Sequence, residues 1–533
     1  MFDYIIIGAG SAGCVLAARL TEDPDVSVAL LEAGPTDSSV LIHCPAGLAL
    51  LAQNGQANWK FQTVPQPGLN GRRGYQPRGK VLGGSSSVNA MVYARGQRAD
   101  YDHWAALGNP GWGFVDVLPY FKRSENNERG ADALHGSGGP LNVKDLTSPN
   151  RFGPVFVEAA KQAGYRENRD FNGPEQEGVG MYQVTHKGGE RFSAAKAYLT
   201  PNLARPNLQV ITGAHTTRIL LEKKRAVGVE YQHDGLVKQL KARREVLLCA
   251  GALQSPQILM LSGIGPHAHL LENGIATQHD LPGVGQHLHD HPDVVLVANA
   301  PGVSDLFGIS PRGIARAVSA IFEWRKHRTG MLTSNFAEAG GFIKSSAGEA
   351  LPDLQLHFVV GKLLDHGRKT VLGHGYSCHV CVLRPVSRGS LRLASKDPTD
   401  APLIDPNFLG ERDDMDRLVR GFRILRTLLS QPALAGYGKE SATSAGVQTD
   451  LQIENFIRDH ADTIYHPVGT CRMGNGPLDV VDAQLRVHGL DGLRVVDASI
   501  MPRVVSGNTN APVVMIAEKA ADMVKAAATP LPR

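Results

Sequence analysis

Three glycines, Gly8, Gly10 and Gly13, are spaced G-x-G-x-x-G between an apolar run, FDYIII, and a helical pattern, CVLAARL. Glycine at these places permits a tight turn and lets backbone approach a pyrophosphate, which then rests on the helix N-terminus. Ser11 and Ala12 are the small residues of the same turn. Glu32 and Ala33 follow the next apolar run, with Glu32 19 residues after Gly13. A carboxylate there accepts hydrogen bonds from a ribose diol. Strand, glycine turn, helix and acid in this order predict a dinucleotide site. The motif alone does not separate FAD from NAD.

The elements that must hold such a site are those of an α/β chain. FDYIII is continuously apolar, as in a parallel strand covered on both faces. REVLLCAGALQSPQILMLSGIG repeats the order of strand, glycine turn and helix. Between Trp59 and Asn109 the chain is rich in Gly, Arg and Asn without periodicity, and so long an irregular stretch usually carries function. Later, LQLHFVV, YSCHVCVLRP and GSLRLAS alternate like strands of an antiparallel sheet. A helix is expected from Asp413 to Ser430, with Leu418, Phe422, Leu425, Leu428 and Leu429 on its apolar face, and another over APVVMIAEKAADMVKAAA.

Two longer blocks identify a family. Gly79–Tyr93 (GKVLGGSSSVNAMVY) resembles the first signature of the glucose–methanol–choline oxidoreductases, and Gly251–Gly265 (GALQSPQILMLSGIG) matches their second. Tyr465-His466-Pro467 and Gly507–Pro512 (GNTNAP) look like the family's catalytic segments. The resemblance runs from Phe2 to Val524 and implies FAD in an extended pose. It places Gly8, Gly10, Ser11, Ala12 and Gly13 at the pyrophosphate and Glu32 and Ala33 at the adenosine ribose. Thr217 is placed by its backbone near the adenine. Gly83, Asn89 and Ala90 are placed over the diphosphate and flavin, and Asp497 and Ala498 near the ribityl chain. Trp59, Gly79, Leu82, Ser86, Met91, Val92, Ala250, Asn508, Thr509 and Pro512 complete the expected cofactor shell.

The resemblance makes His466 the base that takes the hydroxyl proton of an alcohol, and an unperturbed imidazole is neutral and basic near pH 7. Asn510 resembles the family's second active-site residue, a hydrogen-bond donor to the developing alkoxide. Tyr465 and Glu338 are candidate substrate contacts. The family also contains enzymes with a histidine, next to the loop asparagine, bonded to the flavin. Here that position is Val88, so FAD is expected to be non-covalent. The expected fold is α/β, an FAD-binding Rossmann-like domain of this family's type with an antiparallel-sheet plus helices substrate domain. The former is expected to be assembled from residues 1–150, 205–292 and 464–533, the latter from 151–204 and 293–463.

Several features bound what remains. Fifty-five basic residues against 51 acidic ones argue against a nucleic-acid footprint. Six scattered cysteines read as reduced thiols of a cytosolic protein. Cys378 and Cys381 would point to opposite faces of a strand, and the cluster His287, His289, Asp290, His291 resembles a family loop, so no metal is expected. No signal peptide precedes the first strand, and the expected location is the cytoplasm, with contact to the inner face of the membrane open. PRGIARAVSAIFEWRKHRT is basic and amphipathic. It reads as a cover for the substrate cavity or as a surface that docks on anionic lipid.

The His466 segment most resembles bacterial alcohol dehydrogenases that pass electrons from primary alkanols to a quinone or dye-like acceptor. No second nucleotide motif offers a place for NAD. Choline dehydrogenase is the nearest rival, because Trp59, Phe336, Tyr465 and Glu338 together could cage a quaternary ammonium. An oxygen-using alcohol oxidase and a hydroxynitrile lyase on the same fold are further alternatives. Oligomeric state is not legible.

Overall fold

Asp3 is the one polar residue in the run β1 (Phe2–Ile7), where all but Phe2 are buried, and its carboxylate is held by Arg243 and Ser27. Burial on both faces explains why β1, apart from Asp3, and β2 (Val28–Glu32), up to its terminal Glu32, are apolar. A computed structural model describes residues 1–365, 368–369 and 371–528. In it β1 and β2 pair in parallel, β3 (Leu208–Thr212) adds to β2, and a meander follows: β4 (His215–Glu222), β5 (Arg225–His233) and β6 (Leu236–Leu248). The order is β3-β2-β1-β6-β5-β4. β6 joins the parallel and antiparallel parts of this sheet. Its first half pairs antiparallel with β5, and its second half runs parallel to β1 and to Leu493–Val495.

Helices α1 (Ser11–Leu20) and α2 (Gly251–Leu261) follow β1 and β6, so both begin at the carboxyl edge of the parallel strands. Open α/β sheets bind ligands at that edge. The turn into α1 has no room for a side chain at Gly8 or Gly13. Gly8 has φ +95°, and a Cβ on it would lie 2.7 Å from the Cys249 carbonyl oxygen. A Cβ on Gly13 would lie 1.9 Å from the Gly8 oxygen, whereas one on Gly10 would meet nothing within 4 Å.

The second sheet is antiparallel, in the order β7-β10-β9-β8: β7 (Pro292–Asn299), β8 (Ala337–Ile343), β9 (Leu354–Val359) and β10 (Gly373–Val382). Helix α3 (Pro311–His327) lies in the β7–β8 connection. Helix α4 (Arg412–Leu429) buries Leu418, Phe422, Leu425 and Leu428 against one face of the sheet, joined there by Leu356, Phe358, Cys378 and Val380. Alternation sends His357, Val359 and His379 to the other face, where they line a cavity. GSLRLAS does not join this sheet. Gly389–Arg392 pairs instead with Gln286–Leu288 and Leu403–Asp405, because Leu391 and Leu393 pack into the core around β1. The stretch expected to be irregular up to Asn109 also holds a helix, Arg98–Ala106, capped by Gln97 and Asp100 and anchored by buried Tyr101 and Trp104.

The last helix, α5 (Asn510–Ala527), returns to pack on α1. Glu518 is fully buried between them and accepts hydrogen bonds from Arg19, Arg123 and Tyr198, the paired arrangement a buried carboxylate requires. All six cysteines are buried and free. Among the described residues, no helix is long and apolar enough to cross a membrane.

The space around Gly13 gives a direct expectation. Gly13→Ala forces α1 off β1 and should cost roughly 1–3 kcal/mol, seen as a lowered Tm of the cofactor-stripped protein. Gly10→Ala, with open space at its Cβ, should leave that Tm unchanged.

Candidate active site

A cavity of about 770 Å³ runs from the glycine turn to the face of the second sheet that carries His357 and His379. That volume lies in the usual range for small-molecule sites. At the first end, Gly8, Gly10, Ser11 and Ala12 line the wall, and the α1 N-terminus has no side-chain cap. Its amide groups and the helix dipole are available to an anion. Glu32 accepts from the amides of Ala9 (3.0 Å) and Gly34 (2.9 Å). Burial pushes its carboxyl up to about 7, and hydroxyl donors would restore the charged form. Trp59 packs against Phe61 and His215 at this end, and the buried Thr216 hydroxyl has no partner among the described residues.

The loop over the middle of the cavity is packed directly on the glycine turn. Gly83 N–H donates to Ala9, and a Cβ on Gly84 would lie 2.7 Å from Gly10 Cα. Asn89 Oδ1 accepts from Met91 N–H and from Arg191, which holds Asn89, Ala90 and Met91 against the cavity. Asp497 is engaged by the Gly251 amide, Ser255 and the Ser499 amide, so Ala498 presents its small side to the same space.

At the far end His466 is 8% exposed and lines the cavity. Its backbone N–H donates to Asp290 Oδ1, which also takes the N–H of His291. Tyr465 has φ +72°, a strained conformation for a bulky residue, and its carbonyl accepts from Arg78. The imidazoles of His466 and His291 meet edge to face, Nδ1 to Nδ1 at 3.1 Å, and His291 Nε2 lies 3.0 Å from the Leu383 carbonyl oxygen.

That geometry assigns the protons. A carbonyl only accepts, so His291 carries its proton on Nε2 and leaves Nδ1 as acceptor. His466 must then donate from Nδ1, and its Nε2 lone pair is left facing the cavity. Burial holds both rings neutral: it lowers His466 well below the ordinary imidazole value, with His291, His357 and Arg78 adding to the effect, and takes His291 down to about 3. Asn508 Nδ2 stands 3.4 Å from His466 Nε2. The unshared nitrogens His357 Nδ1 and His379 Nε2 are buried nearby without partners.

The residues expected from sequence divide into three groups. Gly8, Gly10, Ser11, Ala12, Glu32, Ala33, Trp59, Gly79, Asn89, Ala90, Met91, Val92, Ala250, Tyr465, His466, Asp497, Ala498, Asn508 and Thr509 do line the cavity. Gly13, Leu82, Gly83, Ser86 and Pro512 stand behind it and support the wall: Ser86 Oγ, for example, ties Gly83 to Ala194. Three others lie as follows. Asn510 lines the same cavity as His466; it begins α5, and its Oδ1 accepts from Ser11 at 2.8 Å. The Thr217 hydroxyl points at Glu230, which leaves its backbone for the adenine, and the neighbouring Thr216 lines the wall. Glu338 faces Ser334 and the helix Phe152–Gln162 rather than the cavity, because strand alternation puts Ala337 on the lining. His291 and Asp290 went unassigned because their run of His and Asp reads as a loop; only the Leu383 contact reveals a role.

The first end therefore fits a dinucleotide: a glycine turn open toward the cavity, an uncapped helix start, and a carboxylate at its edge. Two profiles described as GMC oxidoreductase match residues 2–293 and 385–517. The chain is 50% identical to an alcohol dehydrogenase (acceptor) of Pseudomonas putida, over 98% of this chain and 96% of that one. It is 46% identical to an oxygen-dependent choline dehydrogenase of Chromohalobacter salexigens, over 100% and 96%. An FAD-dependent oxidoreductase from Chaetomium thermophilum superposes with a TM-score of 0.89 at 28% identity, covering 99% of each chain.

Because only open space faces Gly10, its substitution separates binding from folding. Gly10→Ala should weaken the binding of ADP to the stripped protein by about tenfold or more, the loss of one good contact at about 1.4 kcal/mol, read by calorimetry. Unchanged ADP affinity would place the pyrophosphate elsewhere.

Proposed function

The chain belongs to the GMC oxidoreductase family, and from that membership we propose that it oxidises uncharged primary alcohols, medium-chain alkanols among them, to aldehydes with His466 as the base. It is an FAD-dependent oxidoreductase acting on CH–OH. FAD, when bound, accepts the hydride that leaves the carbinol carbon. The chain supplies the rest. His466 Nε2 takes the hydroxyl proton, and Asn508 Nδ2 donates to the oxygen as negative charge develops there. The observation that carries this reading is the chain of contacts from Leu383 through His291 to His466, which leaves the basic lone pair on the cavity side.

The lining around His466 supports an aliphatic substrate. Phe307, Met331, Phe336, Val359, Leu363 and Ile464 make an apolar corridor, where each buried methylene is worth about 0.8 kcal/mol. Choline needs a carboxylate or an aromatic cage for its cation. Among the described residues, the carboxylates on the cavity lining are Glu32 and Asp497, both engaged by backbone amides. Glu338 pairs with Ser334 and is absent from the lining, so the expected cage lacks its carboxylate. Val88 on the lining offers no nucleophile, in keeping with non-covalent FAD. A quinone or dye-like acceptor takes the electrons onward, as the name of the Pseudomonas relative suggests.

The test is anaerobic stopped-flow reduction of the yellow holoenzyme by an alkanol. His466→Ala should slow it roughly 10²- to 10⁴-fold, and Asn508→Ala about 10- to 100-fold. Asn510→Ala, on the same cavity wall, should also slow it, and by less than His466→Ala. The pKa of His466 is lowered by burial, so its neutral, basic form persists as pH falls. The acid limb of kcat/KM should therefore lie below pH 6.5. Near-wild-type reduction by the His466 variant, or a choline kcat/KM above that of every alkanol, would overturn the reading.

A further inference from the structure

Helix α3 buries only Ala320 and Trp324 and leaves most of its surface to solvent. Ile314, Val318, Ile321 and Phe322 are 57%, 49%, 47% and 71% exposed, and their spacing puts them on one stripe. Ile309, just before the helix, bridges Leu372, which is 73% exposed. A soluble chain rarely leaves so large an apolar patch open without a partner for it. The helix is firmly seated all the same: the Trp324 indole donates to the Gly189 carbonyl at 2.8 Å, and Arg328 stacks over its ring.

The charges beside the stripe identify the partner. Arg312, Arg316, Arg325 and Lys326 stand against a single carboxylate, Glu323. Arg316 pairs with Asp305, but among the described residues Arg312, Arg325 and Lys326 have no acidic partner. A seated helix with an exposed apolar stripe and basic flanks has the design of one that lies in a lipid headgroup region. Its place in the molecule agrees. Ala317, between Arg316 and Val318, lines the cavity together with Ile309, Met331 and Leu332. We propose that α3 docks the protein on an anionic lipid bilayer, with the mouth of the cavity against the membrane surface, where apolar alcohols and quinones concentrate. The helix lies in the interface and does not span it.

Vesicle co-sedimentation of the holoenzyme tests this. Wild type should pellet with phosphatidylcholine vesicles containing phosphatidylglycerol and remain in solution with phosphatidylcholine alone. The Arg312→Glu, Arg325→Glu, Lys326→Glu triple variant should bind on the order of 100-fold more weakly. The Ile314→Glu, Phe322→Glu double variant should bind at least about tenfold more weakly at the same charge-selective vesicles. Both should reduce a soluble dye with a water-soluble alcohol at the wild-type rate, which excludes misfolding. Failure of wild type to bind anionic vesicles, or undiminished binding by the double variant, would overturn the proposal. So would a dimer, by light scattering, that the double variant dissociates while vesicle binding is absent; the stripe would then cover a second copy of the chain.

Discussion

Burying an imidazole without letting it charge is the constraint on which this site depends. His466 sits where water cannot support a cation, and its neighbours are two further imidazoles and the Arg78 guanidinium. A ring held there stays neutral, and a neutral ring has one donor and one acceptor. Which nitrogen is which is decided outside His466, by a backbone carbonyl acting through His291. Asp290 fixes the two residues by their backbones, and Tyr465 takes a strained conformation so that His466 projects from the adjacent position. Strain of that kind, of order 1–3 kcal/mol, persists only when the surroundings over-determine it.

The same economy shapes the rest of the cavity. One wall is backbone: glycines and small residues at the carboxyl edge of a parallel sheet, where any Cβ meets either a carbonyl or the cofactor space. The other wall is the cavity-facing side of an antiparallel sheet whose far face is sealed by α4. Rigid elements thus bound the cavity on both sides, and α1 and α5 lock the first wall through the buried Glu518 cluster. The contact between Ser11 and Asn510 joins the starts of those two helices beside the glycine turn.

Much of this was legible in sequence because it is carried by local patterns. The glycine turn, Glu32 and the Gly79–Tyr93 block each announce themselves within a few residues, and the strand and helix periodicities of β1, β9, β10 and α4 are strong. What escaped depends on which face a residue takes. Ala337 and Glu338 differ by one step of a strand, and a one-residue step reverses the face. GSLRLAS had the right period for a strand, but period cannot say which core its leucines enter. His291 acts through a contact 175 residues away in sequence, which no local pattern encodes.

The measurement that bears most directly on this account compares His291→Leu with His291→Gln by anaerobic flavin reduction with an alkanol. Leucine removes the acceptor for the His466 Nδ1 proton, whereas the glutamine amide oxygen can still take it. The account predicts that both variants keep FAD and that His291→Leu loses roughly tenfold or more in reduction rate, the value of a buried hydrogen bond to the base. His291→Gln should regain most of that loss. Wild-type reduction rates in a fully loaded His291→Leu enzyme would contradict it, because the orientation of His466 would then not depend on its neighbour.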